Sequence, residues 1–209
     1  MSDIKIVKPM DIEKRSFEII TERLGGRSFG EDKDDIVKRV IHTSADFDYA
    51  DNLVFSDGVV EKALEAIKSG ATIVTDTQMA KAGINKKILE SFGGEALCYM
   101  SDDDVAAIAK ESGITRAMVS MEKACRISGP LILAIGNAPT ALIRADELIK
   151  EGRMKPALII GVPVGFVNVV ESKELIIEGD TPYIVARGNK GGSNVAAAIC
   201  NALLYKLKR

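Results

Sequence analysis

The sequence predicts an α/β fold: a mainly parallel five-stranded sheet flanked by helices, with an extra helical layer supplied by the N-terminus. Three observations carry that expectation. Five short apolar or β-branched runs follow one another from residue 71 onward, amphipathic stretches separate them, and the first 70 residues repeat helically instead of alternating. Continuous apolar runs suit strands covered on both faces, the usual state of a parallel sheet.

Pro9-Met10-Asp11 reads as a helix entry with Asp11 as N-cap, and Ile12, Ile19, Ile20 and Leu24 recur helically until Gly25-Gly26 stops them. Ser16 falls on the inward face, where a small polar residue is either a packing compromise or a donor into a pocket; Arg15 sits beside it. Acidic residues at 31, 32, 34 and 35 suit the first turn of a second helix, where they complement its dipole. That helix has an apolar stripe of Ile36, Val37, Val40 and Ile41. At about 100° per residue, His42 points roughly 170° from the stripe's centre and shares its side with Asp35, Arg39 and Asp46. His42 is the only histidine in the chain. Geometry alone reads it as part of a solvated polar face, and Arg39 as an exposed partner of Asp35 four residues earlier. Residues 45–51 lose the period, which leaves His42 near a helix end. Ser56 and Asp57 are placed to cap a third helix carrying Val59, Val60, Ala63, Leu64 and Ile67 up to Gly70.

The strand candidates are 71–75, 96–100, 131–135, 157–161 and 182–186, and helix patterns are led by Ser101-Asp102-Asp103-Asp104, Thr115-Arg116, Ala138-Pro139-Thr140 and Lys190-Gly191-Gly192-Ser193. A length of 209 residues without a break in composition or an internal repeat makes 1–209 one domain. A hydrophobic fraction of 46% with 28% charged residues excludes disorder, and no apolar run reaches the length of a membrane span. The N-terminus lacks the basic-then-apolar order of a signal peptide, so the expected location is cytoplasmic. A net charge of −2 provides no positive field to recruit nucleic acid or a membrane surface. Cys98, Cys125 and Cys200 are odd in number and widely spaced; with one histidine they make neither a disulfide framework nor a metal site, and they read as small buried hydrophobes.

In open α/β sheets ligands bind beyond the carboxyl ends of the strands, so the chain's chemistry belongs in the segments after them. These are Thr75-Asp76-Thr77-Gln78-Met79, Gly136-Asn137-Ala138-Pro139-Thr140, Gly161-Val162-Pro163-Val164-Gly165-Phe166 and Arg187-Gly188-Asn189-Lys190-Gly191-Gly192-Ser193. Their glycines and prolines imply tight turns that bring backbone N–H groups toward one crevice suited to anionic ligand groups. No nucleotide fingerprint is present, and no paired-cysteine motif or Gly-x-Ser-x-Gly elbow. The 187–193 segment is either a strand-to-helix turn or an anion cradle reinforced by Arg187 and Lys190, while Asp76 and Thr77 read more simply as a helix cap. What remains is one proton-transfer residue beside an anion-binding crevice.

Six segments taken together resemble the precorrin-8X methylmutase family: Glu13-Lys14-Arg15-Ser16-Phe17-Glu18-Ile19-Ile20, Arg39-Val40-Ile41-His42, Gly136-Asn137-Ala138-Pro139-Thr140-Ala141-Leu142, Gly161-Val162-Pro163-Val164-Gly165-Phe166-Val167, Glu171-Ser172-Lys173 and Arg187-Gly188-Asn189-Lys190-Gly191-Gly192-Ser193. They run in order over nearly the whole chain. The resemblance implies a cofactor-free isomerase of cobalamin biosynthesis that moves a methyl group from C-11 to C-12 of a corrinoid tetrapyrrole, acting as a homodimer. It implies that His42 is the catalytic proton donor and acceptor and that Ser16 and Arg39 contact the substrate, with Arg15, Thr77, Asn137, Arg187 and Lys190 as further lining residues. Asn189 departs from the basic or larger residue expected in that loop. A non-catalytic corrinoid carrier would use the same crevice without needing His42, and a nucleotide-dependent enzyme is disfavoured by the missing phosphate loops.

Overall fold

The computed structural model describes Lys8 and residues 11–208. In chain order the elements are α1 (Ile12–Arg23), α2 (Asp34–Ser44), α3 (Tyr49–Asn52), β1 (Leu53–Phe55), α4 (Val59–Lys68), β2 (Thr72–Thr75), α5 (Gln78–Gly83), α6 (Lys86–Glu90), β3 (Glu95–Leu97), α7 (Asp103–Ser112), α8 (Arg116–Ala124), β4 (Leu131–Ile135), α9 (Pro139–Lys150), β5 (Leu158–Gly161), α10 (Val169–Ile177), β6 (Tyr183–Ala186) and α11 (Ser193–Leu207).

One sheet runs in the order β1-β6-β5-β4-β2-β3. The five expected strands are β2 to β6, and they pair with one another in parallel. The sixth strand, β1, was not expected. It pairs antiparallel with β6, Leu53 opposite Ala186 and Phe55 opposite Ile184. Three residues between two helices are too short to show a period, which is why the strand is invisible in the sequence.

Strand residues alternate between two cores. On β4, Ile132 and Ala134 join the cluster beneath α2, α4 and α11, whereas Leu131, Leu133 and Ile135 join the cluster beneath α8, α9 and α10. Every β4 residue is therefore buried, as its unbroken apolar run requires. The N-terminal layer docks through the predicted stripe: Ile36, Val37, Val40 and Ile41 are buried, and α2 packs along α11. Cys98 and Cys200 are buried free thiols and Cys125 is partly so; burial pushes the Cys200 thiol up to about 12. Among the described residues no helix is long and apolar enough to cross a membrane.

Two expected caps differ, and Pro9 and Met10 of the first lie outside the described residues. Asp11 stands at the start of α1 but makes no side-chain cap. Gly58, in the left-handed conformation with φ 65°, precedes α4 in place of Ser56 or Asp57. Ser56 instead extends the β1–β6 pairing, its Oγ accepting from the Tyr183 N–H at 2.9 Å while its own N–H donates to the Tyr183 carbonyl at 3.1 Å.

Candidate functional site

The chain leaves β2 toward β3 on one side and runs from β4 through β5 to β6 on the other, so the direction of winding reverses between β2 and β4. Such a reversal opens a crevice at the carboxyl ends of the two strands. Here Asp76 fills it. Its carboxylate, just past β2, accepts from the N–H groups of Gly136, Asn137 and Ala138 just past β4, at 2.8, 2.7 and 2.6 Å. The backbone N–H of Asn137, a residue expected to line the site, is thus satisfied within the protein. Burial pushes the Asp76 carboxyl above the usual carboxylate range, and the three N–H bonds oppose that shift. Gly136 also passes the start of α11 so closely that a Cβ would meet the Gly192 carbonyl oxygen at 2.8 Å.

Thr77 caps α5 as expected, accepting from the Ala80 N–H at 3.1 Å, and shares a 2.7 Å hydrogen bond with the Ser193 hydroxyl. This joins the exit of β2 to the first residue of α11. Ser193 and Asp76 were not singled out for these roles, because partners 116 and about 60 residues away leave no local spacing to read.

On the opposite flank, α1 and α2 bring Ser16, Phe17, Arg39 and His42 onto one pair of packed helices. His42 lies exposed in the last turn of α2, its ring 5.6 Å from that of Phe17 and inclined by 32°. Ser16, the neighbour of Phe17, is partly buried. Arg39 does not pair with Asp35. It donates to Glu13 at 2.7 Å, with its guanidinium carbon 4.6 Å from the Tyr205 ring centre and 5.3 Å from that of Phe17. Arg15 is an exposed residue paired with Glu18 at 2.9 Å and Glu22 at 3.5 Å. A cleft of about 860 Å³ runs between α1, α2 and α11, lined in part by Glu13, Phe17, Arg39 and Tyr205. Its acids, Glu13, Glu18, Glu22 and Asp35, match its bases, Lys14, Lys38, Arg39 and Lys206, and His42 is not in its lining. Balanced charge makes it a weak trap for a polyanion.

The 187–193 loop connects the two flanks. Lys190 Nζ donates to Asp46 and Asp48, both at 2.6 Å, in the segment that follows α2. This contact raises the Lys190 ammonium above its ordinary range and lowers the Asp46 carboxyl. Arg187 pairs with Glu174 at 3.2 Å, and its N–H donates to the Asn52 carbonyl at 2.8 Å. Asn189 Nδ2 donates to the Gly165 carbonyl at 2.7 Å, which gives the departing residue a structural use. A Cβ on Gly191 would overlap the Val162 carbonyl, so only glycine fits there. Beside this loop the exit of β5 exposes Val164 by 47%, Phe166 by 89% and Val167 by 79%. These three side chains leave an open apolar patch at this exit.

Fold and site together define a doubly wound α/β protein with polar loops and open apolar residues at the carboxyl ends of its strands. The family is specific: a family model described as precorrin-8X methylmutase matches residues 11–206, and the chain belongs to that family. It is 47% identical to the cobalt-precorrin-8 methylmutase of Priestia megaterium over 94% of this chain and 88% of that protein. It is 44% identical to the protein of the same name from Salmonella typhimurium, over 97% and 98% of the two chains. The precorrin-8X methylmutase of Pseudomonas aeruginosa is 37% identical over 92% and 93%. The solved precorrin-8X methylmutase of Thermus thermophilus superposes with a TM-score of 0.85 at 37% identity, over 93% of this chain and 96% of that one. Members of the family are intramolecular methyltransferases, and this chain is an isomerase of that class.

Proposed function

We propose that this protein acts in cobalamin biosynthesis, moving a methyl group from C-11 to C-12 of cobalt-precorrin-8 to give cobyrinate, or of precorrin-8X to give hydrogenobyrinate. The observation that carries the reading is the position of His42. In a chain matched to the family from residue 11 to 206, the one histidine stands exposed on the helix that also carries Arg39, and the segment after that helix is tied to Lys190. Five relatives at 40–47% identity bear the cobalt-precorrin-8 name, which favours the cobalt-containing substrate; the cobalt belongs to the substrate and not to the protein.

In this reading His42 donates a proton to the macrocycle and takes one back, giving the ring the electron distribution that lets the methyl group migrate within one molecule. Such acid–base help is typically worth about 10²–10⁴ in rate, and orientation of the ring supplies the rest. The substrate's acetate and propionate groups meet Arg187, Lys190 and Ser16. Arg39 exchanges Glu13 for a carboxylate, and the apolar residues at the β5 exit lie against the ring. Thr77 and Asn137 support these segments through the bonds described above. The protein works as a cytoplasmic homodimer without a cofactor.

The test is the visible spectrum of the wild type and His42→Ala mixed separately with cobalt-precorrin-8 and precorrin-8X. Conversion by the wild type alone supports the mechanism, and the faster substrate identifies the metal state. A bound, unchanged chromophore with both proteins points instead to a carrier.

A further inference from the structure

Lys173, on α10, has no solvent exposure at all. Its Nζ donates to the carbonyls of Gly188 at 2.7 Å and Lys190 at 2.9 Å. The next residue, Glu174, holds the Arg187 side chain. Two consecutive positions of α10 therefore grip the same loop, one by its backbone and the other by its guanidinium. A buried ammonium without a carboxylate partner is a costly way to fill space, which methionine or leucine would fill more cheaply. Burial lowers the Lys173 amine to about 8, the nearby Glu174 charge acting weakly in the other direction. Neutral or charged, it has at least two N–H groups, enough for both carbonyls.

The peptide planes supply the consequence. The described residues contain no cis peptide bond, and in a trans peptide the C=O and the following N–H point in opposite directions. With the Gly188 and Lys190 carbonyls turned toward Lys173, the N–H groups of Asn189 and Gly191 turn away from it, and neither donates to another described residue. The Asn189 carbonyl accepts from the Gly165 N–H at 3.1 Å, and the Gly192 N–H donates to the Val162 carbonyl at 2.9 Å, so the loop is fixed from the β5 side as well.

The geometry points to Lys173 as a positioning residue for substrate: from beneath, it sets the conformation of the 187–192 loop, so that Arg187, Lys190 and two outward N–H groups face the carboxylates of the macrocycle. This rests on the function proposed above and adds a residue that does not itself touch the substrate. A lysine acting through the loop affects binding, whereas His42 affects the chemical step.

The experiment compares wild type, Lys173→Met, Arg187→Ala and the double variant in turnover of cobalt-precorrin-8, with a thermal melt of each. Lys173→Met is expected to raise KM about tenfold while kcat stays within about twofold, and the double variant to raise KM by less than the product of the single effects. That coupling is what a merely structural lysine would not show. Should Lys173→Met not fold, Lys173→Gln replaces it in the same cycle, since it keeps a donor too short to span both carbonyls. A wild-type KM in the folded variant, or single effects that multiply fully, overturns the positioning role. Absence of turnover by the wild type would instead overturn the function on which that role rests.

Discussion

His42 stands exposed in the last turn of α2, so its replacement by alanine removes an acid–base group without opening a cavity. Its cost therefore falls on kcat alone: a loss of about 10²–10⁴ is expected, with the affinity for cobalt-precorrin-8 and the melting temperature unchanged. Lys173 is the opposite case, invisible to solvent and felt in stability. Its folded pKa, about 8, lies below the ordinary 10.5, so between those values the unfolded chain holds a proton that the folded chain has shed. The unfolded state then binds more protons, and stability must rise with pH across that window. Denaturation of wild type and Lys173→Met from pH 7 to 10 should show wild type gaining on the variant as pH passes 8. A constant difference would mean that the amine does not titrate there. Residue types proved more legible in the sequence than their partners. Helical spacing offers Arg39 only Asp35 as a partner, yet Glu13 reaches it from another helix, and spacing within one helix carries no information about its neighbour.

At the scale of elements, the loops after β2, β4, β5 and β6 are legible as a cluster because glycine and proline punctuate them, but not in what each loop does. The N–H groups in the turn after β4 do hold an anion, and it is Asp76 from the same chain. Asp76→Ala should destabilise the protein by about 3 kcal/mol, measured by urea denaturation, because it leaves up to three N–H groups without their acceptor at the centre of the sheet. A loss below about 1 kcal/mol would show that water substitutes for the carboxylate. Lys190→Ala acts on an exposed contact between two loops; it is expected to raise KM and weaken the salt dependence of KM while leaving the melting temperature nearly unchanged. The parallel strands were readable because burial on both faces demands unbroken apolar runs. The edge strand β1 is not, because three residues of which only Leu53 is buried carry no such signature.

For the whole molecule, the open Val164, Phe166 and Val167 at the β5 exit accord with a second copy or the substrate ring covering that face. Light scattering on the purified protein should give twice the 22.4 kDa chain mass if the dimer forms, and the chain mass would remove the partner from the proposal. The antiparallel β1 has another consequence, for how the chain is made. Without β1, the outer edge of β6 would present Tyr183-Ile184-Val185-Ala186, an apolar strand with unpaired backbone groups and thus a template for pairing with other chains. The ribosome emits β1 long before β6, so the cover is ready when the sticky edge appears. A circular permutant opened at residue 57 reverses that order, so that β6 emerges before its cover; its yield of soluble protein should fall.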